Sequence, residues 1–249
     1  MRVACTQCGA AVEVAADARI LECPFCSTSL AVDATGTVFH EVMLTTVEAA
    51  EAVSHLRRFL AGRHTVAGLA EAAGISSPRL ELFPFWAFTV SAPGGERVVL
   101  QPAAPSVLQG LQGVSLPAGT TRPMSAEAAG GAPVIEPEIP VATAREWLAQ
   151  QQGDHPVVRT VLYHLPLYRI DYEYRGRTYR AAVDGVSGQV FPGDYPAKAE
   201  TPYLAVAVVA VVLFGIEGLL VQNLFLKAAL YLATAPPLLG LAWLTSRTV

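Results

Sequence analysis

Two Cys-x-x-Cys pairs, Cys5-Thr6-Gln7-Cys8 and Cys23-Pro24-Phe25-Cys26, hold all four cysteines of this chain, with fourteen residues between them. No other feature constrains the N-terminus as strongly. Each pair can turn two sulfurs toward one metal ion. Two pairs then close a tetrahedral thiolate shell, at about 2.3 Å per bond for zinc. A closed shell leaves no position for water or substrate, so the reading predicts one structural Zn²⁺ held by Cys5, Cys8, Cys23 and Cys26. Gly9 is suited to the positive φ of the first knuckle, and Pro24 to a tight turn in the second. Short strands are expected at Ala11–Val14 and Arg19–Glu22, making residues 1–36 a zinc ribbon too small to fold without its metal.

The first eight residues contain one Arg and no apolar run. This predicts a cytosolic N-terminus without a signal peptide, where thiols stay reduced and bind metal rather than pair as disulfides. Arg2 and Arg19 stand against Glu13, Asp17, Glu22 and Asp33, and the whole chain of 249 residues carries a net charge of −4. Neutralising phosphates needs clustered Lys and Arg, so nucleic acid is a disfavoured partner.

The middle of the chain reads as a diverged duplication. Leu82-Phe83-Pro84-Phe85-Trp86-Ala87-Phe88 parallels His164-Leu165-Pro166-Leu167-Tyr168-Arg169-Ile170. Each is followed by a turn, at Pro93-Gly94-Gly95 and at Arg175-Gly176, and then by a second β-prone run. Upstream of each, Thr45 with Glu48 and Thr143 with Glu146 have capping-box spacing, predicting helix starts there. The repeated unit is strand, helix, hairpin. The expected fold class is α+β, with a first unit at 37–100, a Pro/Gly/Ala-rich connection at 101–133 and a second unit at 134–198. Leu69 to Ser76 resembles the turn of a helix-turn-helix, but Pro84 would stop a recognition helix almost at once, so a short packing helix is expected instead. Val183-Asp184-Gly185-Val186-Ser187-Gly188 reads as a surface turn.

Mean hydropathy is +0.39, and the block from Tyr203 to Leu244 accounts for it. Residues 203–221 carry one charge, Glu217, and residues 224–244 carry one, Lys227. At 1.5 Å per residue each could cross about 30 Å of hydrocarbon. The expectation is a C-terminal transmembrane helical hairpin with Pro236-Pro237 kinking its second helix. Lys198 and Arg247 flank it, which predicts a multi-pass protein of the cytoplasmic membrane with both termini in the cytosol.

No phosphate loop, dinucleotide fingerprint or nucleophile elbow is present. His40, His55, His64, His155 and His164 show no metal-ligand spacing and are read as ordinary surface or core residues. The chain is therefore expected not to be an enzyme.

Cys5, Cys8, Cys23 and Cys26, the Phe83-Pro84-Phe85-Trp86 segment and the apolar C-terminus together resemble a loose bacterial family of zinc-ribbon-containing membrane proteins. Its members are sometimes labelled TFIIB-type zinc ribbon or primosomal-helicase-like from the ribbon alone. The chain has no helicase motif, so that activity does not carry over. The resemblance implies protein partners of the flotillin-like or phage-shock type, with the lipid bilayer as a further partner and room for an oligomer. The expected function is a membrane-anchored adaptor that binds proteins through the ribbon and the duplicated platform. The alternatives are a subunit of a transporter or lipid-linked enzyme using Glu217 and Lys227, and a membrane-tethered nucleic-acid-binding regulator.

Overall fold

The computed structural model describes residues 2–15, 18–33, 36–92, 94–153, 155–198 and 201–248. Asp17 and Pro93, invoked above, lie outside them. In chain order the elements are β1 (Arg2–Ala4), β2 (Ala11–Glu13), β3 (Ile20–Glu22), β4 (Ser29–Asp33), β5 (Gly36–Met43), α1 (Ala49–Leu60), α2 (Leu69–Ala72), β6 (Gly74–Ile75), β7 (Arg79–Ala92), β8 (Gly95–Pro102), β9 (Thr121–Pro123), α3 (Val141–Gln152), β10 (Val157–Tyr174), β11 (Arg177–Asp184), β12 (Val190–Pro192), α4 (Thr201–Leu220) and α5 (Leu224–Thr248). The chain divides into two compact units, one of Met1–Leu60 with Ala70–Tyr195 and one of Ala61–Leu69 with Pro196–Val249.

In the first unit, β1 and β2 form a small hairpin, and the remaining strands build one ten-stranded sheet. Long runs of β-branched and aromatic residues make β7 and β10 its centre. The two pair antiparallel, with Phe83 opposite Leu165 and Trp86 opposite Leu162. Each then turns back into its own hairpin, β7 with β8 and β10 with β11.

The two hairpins share one register. Phe85 faces Pro102 and Ala92 faces Gly95 in the first; Leu167 faces Asp184 and Tyr174 faces Arg177 in the second. A shift of 82 positions (85 to 167, 102 to 184) carries one ladder onto the other. Pro84 and Pro166 lie just beyond these ladders, where each carbonyl accepts one backbone N–H, from Ala103 at 2.9 Å and Gly185 at 2.7 Å. A proline lacks a donor, so it is tolerated in a central strand where the ladder ends.

The helices follow with a shift of 92. Ala52 and Leu56 of α1 correspond to Ala144 and Leu148 of α3, and all four are buried. The parallel pairing of Val42 with His164 has its counterpart in the parallel bridge between Leu82 and Val134. The two strand–helix–hairpin runs therefore interleave in a single sheet. Apolar clusters fill both faces, one around Phe85, Leu100, Leu165 and Phe191, the other around Trp86, Phe88, Ala144 and Leu148.

The helix starts differ from expectation. α1 begins at Ala49, where the Glu51 carboxylate accepts the Glu48 N–H at 3.1 Å, while the Thr46 hydroxyl donates to the Val186 carbonyl at 2.8 Å. α3 begins at Val141 behind Pro140 with no side-chain cap, so Thr143 lies inside it. α2 is a short helix, and β7 occupies the place a recognition helix would have needed.

In the second unit α4 and α5 pack on each other, with Tyr231 donating its hydroxyl to the Phe214 carbonyl at 3.3 Å and the two rings meeting edge-on. Asn223 caps α5, its Oδ1 accepting the N–H groups of Phe225 at 3.0 Å and Leu226 at 3.2 Å. Among the described residues no helix is long and apolar enough to cross a membrane. This overturns the predicted transmembrane hairpin over 203–221 and 224–244, and with it the multi-pass placement in the cytoplasmic membrane. A span needs length and unbroken apolarity together, and the described stretches of these helices do not combine the two. The side chains of Tyr203, Leu244 and Arg247 lie outside the described residues.

Candidate metal centre

The four cysteines converge as their spacing predicts. Each sulfur lies within 4.8 Å of every other. Cys5 Sγ is 3.8 Å from Cys26 Sγ, and Cys8 Sγ is 3.8 Å from Cys23 Sγ. These separations are far beyond a disulfide's roughly 2.05 Å. They match the edge of about 3.8 Å in a tetrahedron with metal–sulfur bonds near 2.3 Å. The residues thus form a set able to hold a metal ion, with no protein position left open.

Both knuckles are built the same way. Cys5 N–H donates to the Ala10 carbonyl at 2.8 Å and Gly9 N–H to the Cys5 carbonyl at 2.9 Å; Cys23 N–H donates to the Thr28 carbonyl at 2.9 Å and Ser27 N–H to the Cys23 carbonyl at 2.8 Å. The fourth residue after each leading cysteine has a left-handed backbone, Gly9 at φ 73° and Ser27 at φ 54°. Gly9 was legible from its residue type, whereas Ser27 carried no such signal.

The sulfurs differ in their surroundings. The Thr28 hydroxyl, 3.4 Å from Cys26 Sγ, together with the Thr28 backbone N–H, draws the Cys26 thiol down to about 6. The Ala10 N–H also favours the Cys8 thiolate, but desolvation and the neighbouring thiols outweigh it and push Cys8 up to about 12. Four crowded thiols resist losing their protons together. A divalent cation supplies the charge that lets them do so.

The ribbon is continuous with the large sheet. β4 pairs with β3 on one side and with β5 on the other, and Phe39 of β5 stands between Leu30 and Val161. Arg19 donates to the Pro137 carbonyl at 2.6 Å. Beneath this junction runs a buried chain that residue spacing did not reveal, because its two imidazoles are 124 positions apart. Ser29 Oγ is 3.0 Å from His40 Nδ1, His40 Nε2 is 2.9 Å from His164 Nδ1, and His164 Nε2 is 2.9 Å from the Ile135 carbonyl. A carbonyl can only accept, so His164 carries its hydrogen on Nε2 and accepts at Nδ1. His40 then donates from Nε2 and accepts the Ser29 hydroxyl at Nδ1. Both rings are neutral in this arrangement. Burial drives His40 down to about 3, with His164 adding to the effect, and burial likewise drives His164 down to about 4. At 2% and 0% exposure these are core histidines that tie four segments together.

Other residues singled out from the sequence do not assemble. Lys227 Nζ donates to the Gly218 carbonyl at 2.8 Å, and the Thr234 hydroxyl lies 3.4 Å from a Glu217 oxygen, so the two charged groups have separate partners. Asp184 is buried within its turn, accepting the Val186 N–H at 2.8 Å and the Ser187 hydroxyl at 2.5 Å. No family model, curated protein or solved structure matches this chain. Of the resemblance drawn from the sequence, the four-cysteine cluster of a zinc ribbon is what stands.

Proposed function

We propose that this chain is a non-enzymatic adaptor in which a Zn²⁺-stapled ribbon presents a protein-binding surface at the end of a rigid sheet. The observation that carries this reading is the closed set of four sulfurs, two pairs of which lie at 3.8 Å. Zinc is the ion favoured by four thiolates in a tetrahedron. A metal without an open position staples the fold and does no chemistry. Phe25, in the turn between Cys23 and Cys26, is 69% exposed. Its backbone is held between two ligand positions, and an exposed aromatic side chain at such a place suits an anchor for a protein partner.

Metal analysis of the purified chain should return one zinc per molecule, released by a thiol-modifying reagent. Affinity capture with the intact protein, with Phe25→Ser and with the metal-stripped form tests the adaptor role. A partner held by the intact form and lost from the other two supports it. Zinc-free protein that keeps its native spectrum, or a partner retained equally by all three, overturns it.

A further inference from the structure

The two related halves place different chemistry at one equivalent position. Gln101 of β8 stands opposite Trp86 as Val183 of β11 stands opposite Tyr168, and the 82-residue shift relates the two pairs. Both residues are buried, Gln101 at 1% and Val183 at 0% exposure. The helices differ in the same sense: the 92-residue shift sets Gln151 of α3 against Phe59 of α1. Where one half has two apolar residues, the other has two carboxamides, with Gln101 Nε2 donating to Gln151 Oε1 at 2.8 Å. A buried carboxamide must keep a partner to avoid a penalty. The apolar half folds without any such obligation, so the polar pair is not a need of the fold. Local departures of that kind mark functional places.

The pair lies in the lining of a cleft of about 590 Å³, a volume in the small-molecule range. Ala104, Leu108 and Leu111 supply buried apolar lining. Among the described residues no charged side chain lines the cleft. Hydrogen bonds hold its lining in place. Ile139 N–H donates to the Ala103 carbonyl at 2.8 Å, and the Ile139 carbonyl accepts the Trp86 indole N–H at 2.7 Å. Leu111 N–H donates to the Leu108 carbonyl at 3.2 Å, and Leu108 N–H to the Ser106 hydroxyl at 3.1 Å. A site organised in advance loses little freedom on filling.

The remaining lining sets the chemistry of an occupant. The bond from Gln101 fixes the Gln151 carboxamide through its oxygen and leaves its N–H groups to donate. Trp147 is partly exposed, and its indole N–H has no acceptor among the described residues. Gln112 and Gln150 are exposed and also line the cleft. A carboxamide presents a donor beside an acceptor, the complement of a ring amide whose N–H adjoins its C=O. An indole stacks on a flat ring. A phosphate or carboxylate would find no cation here.

We propose that this cleft binds an uncharged planar heterocycle carrying a ring amide, of the size of a nucleoside. Trp147 stacks on the ring, and the carboxamides of α3 hydrogen-bond its amide edge. Gln101 is a positioning residue that acts through Gln151. The site stands on the large sheet and does not depend on the zinc ribbon reading.

Uridine and inosine, both neutral and both carrying a ring amide, serve as probes, titrated into the full-length protein and followed by calorimetry. Saturable binding of at least one is expected, with Kd on the order of 10 µM to 1 mM. Maltose, neutral and rich in hydroxyls but without a ring amide, should not bind. Trp147→Ala removes the stacking surface, and the double variant Gln101→Val/Gln151→Leu replaces the carboxamides with apolar residues, as in the other half. Each should weaken binding at least about tenfold. The double variant should melt no lower than the parent, because the carboxamides serve the ligand rather than the fold. Phe25→Ser should leave binding unchanged, so failure here is separable from failure of the ribbon reading. If Trp147→Ala does not fold, the double variant decides. The proposal is overturned by the absence of saturation with either nucleoside up to about 10 mM, by saturation with maltose alone, by affinity that survives the variants, or by a double variant that melts well below the parent.

Discussion

Phe83 stands directly opposite Leu165 across the β7–β10 pair, and the 82-residue shift relates these two positions to each other. The pair therefore lies on the axis of an internal two-fold: moving away from it in either direction along the sheet meets corresponding residues of the other half. Both side chains are buried in the cluster that also holds Phe85, Leu100 and Phe191.

Leu165→Ala should cost about 3 kcal/mol, as large-to-small changes in a packed core do. The loss reaches both hairpins because both meet at this pair. Denaturant unfolding checks it, and a loss below about 1 kcal/mol would show a loosely packed axis.

The His40–His164 chain makes stability depend on pH. An unfolded histidine titrates near 6.5, whereas folded His40 and His164 are held down to about 3 and about 4. Below pH 6.5 the unfolded state binds more protons, so stability is fully present above that pH. It is lost as pH falls from 6.5 toward 4, by up to about 1.4 kcal/mol per pH unit for each ring. Denaturation midpoints measured between those limits should show this slope, and the double variant His40→Leu/His164→Leu should show less of it. Equal slopes for both proteins would mean that the rings are not buried neutral.

Gly188→Ala should destabilise the fold by about 1–3 kcal/mol. Gly188 has φ of 72°, and a Cβ there would strike the His55 ring at 2.5 Å. Adding His55→Ala should recover part of the loss by removing the clash while leaving the backbone strain. Thermal melting of the single and double variants measures the split; no recovery would assign the whole cost to the backbone.

The metal cluster was legible because its geometry is local. Two Cys-x-x-Cys turns fix their own sulfurs, and fourteen intervening residues suffice to fold one pair onto the other. The hairpins could be read in the same way, since turn residues between β-prone runs act over a few positions. The helix starts differ from the capping-box spacing: α1 begins at Ala49, four residues after Thr45, and α3 begins at Val141 behind Pro140, two residues before Thr143. The apolar C-terminus was read from composition and length as membrane-spanning, a test that the described stretches of α4 and α5 do not meet.

The sequence by itself determined the four-thiol centre, the two hairpins and their kinship, because each depends on contacts within a short stretch of chain. Only the tertiary structure decided that the two halves share one sheet and that His40 and His164 meet in its core. Those outcomes rest on which strands become neighbours across more than a hundred residues, and residue spacing carries no record of that choice.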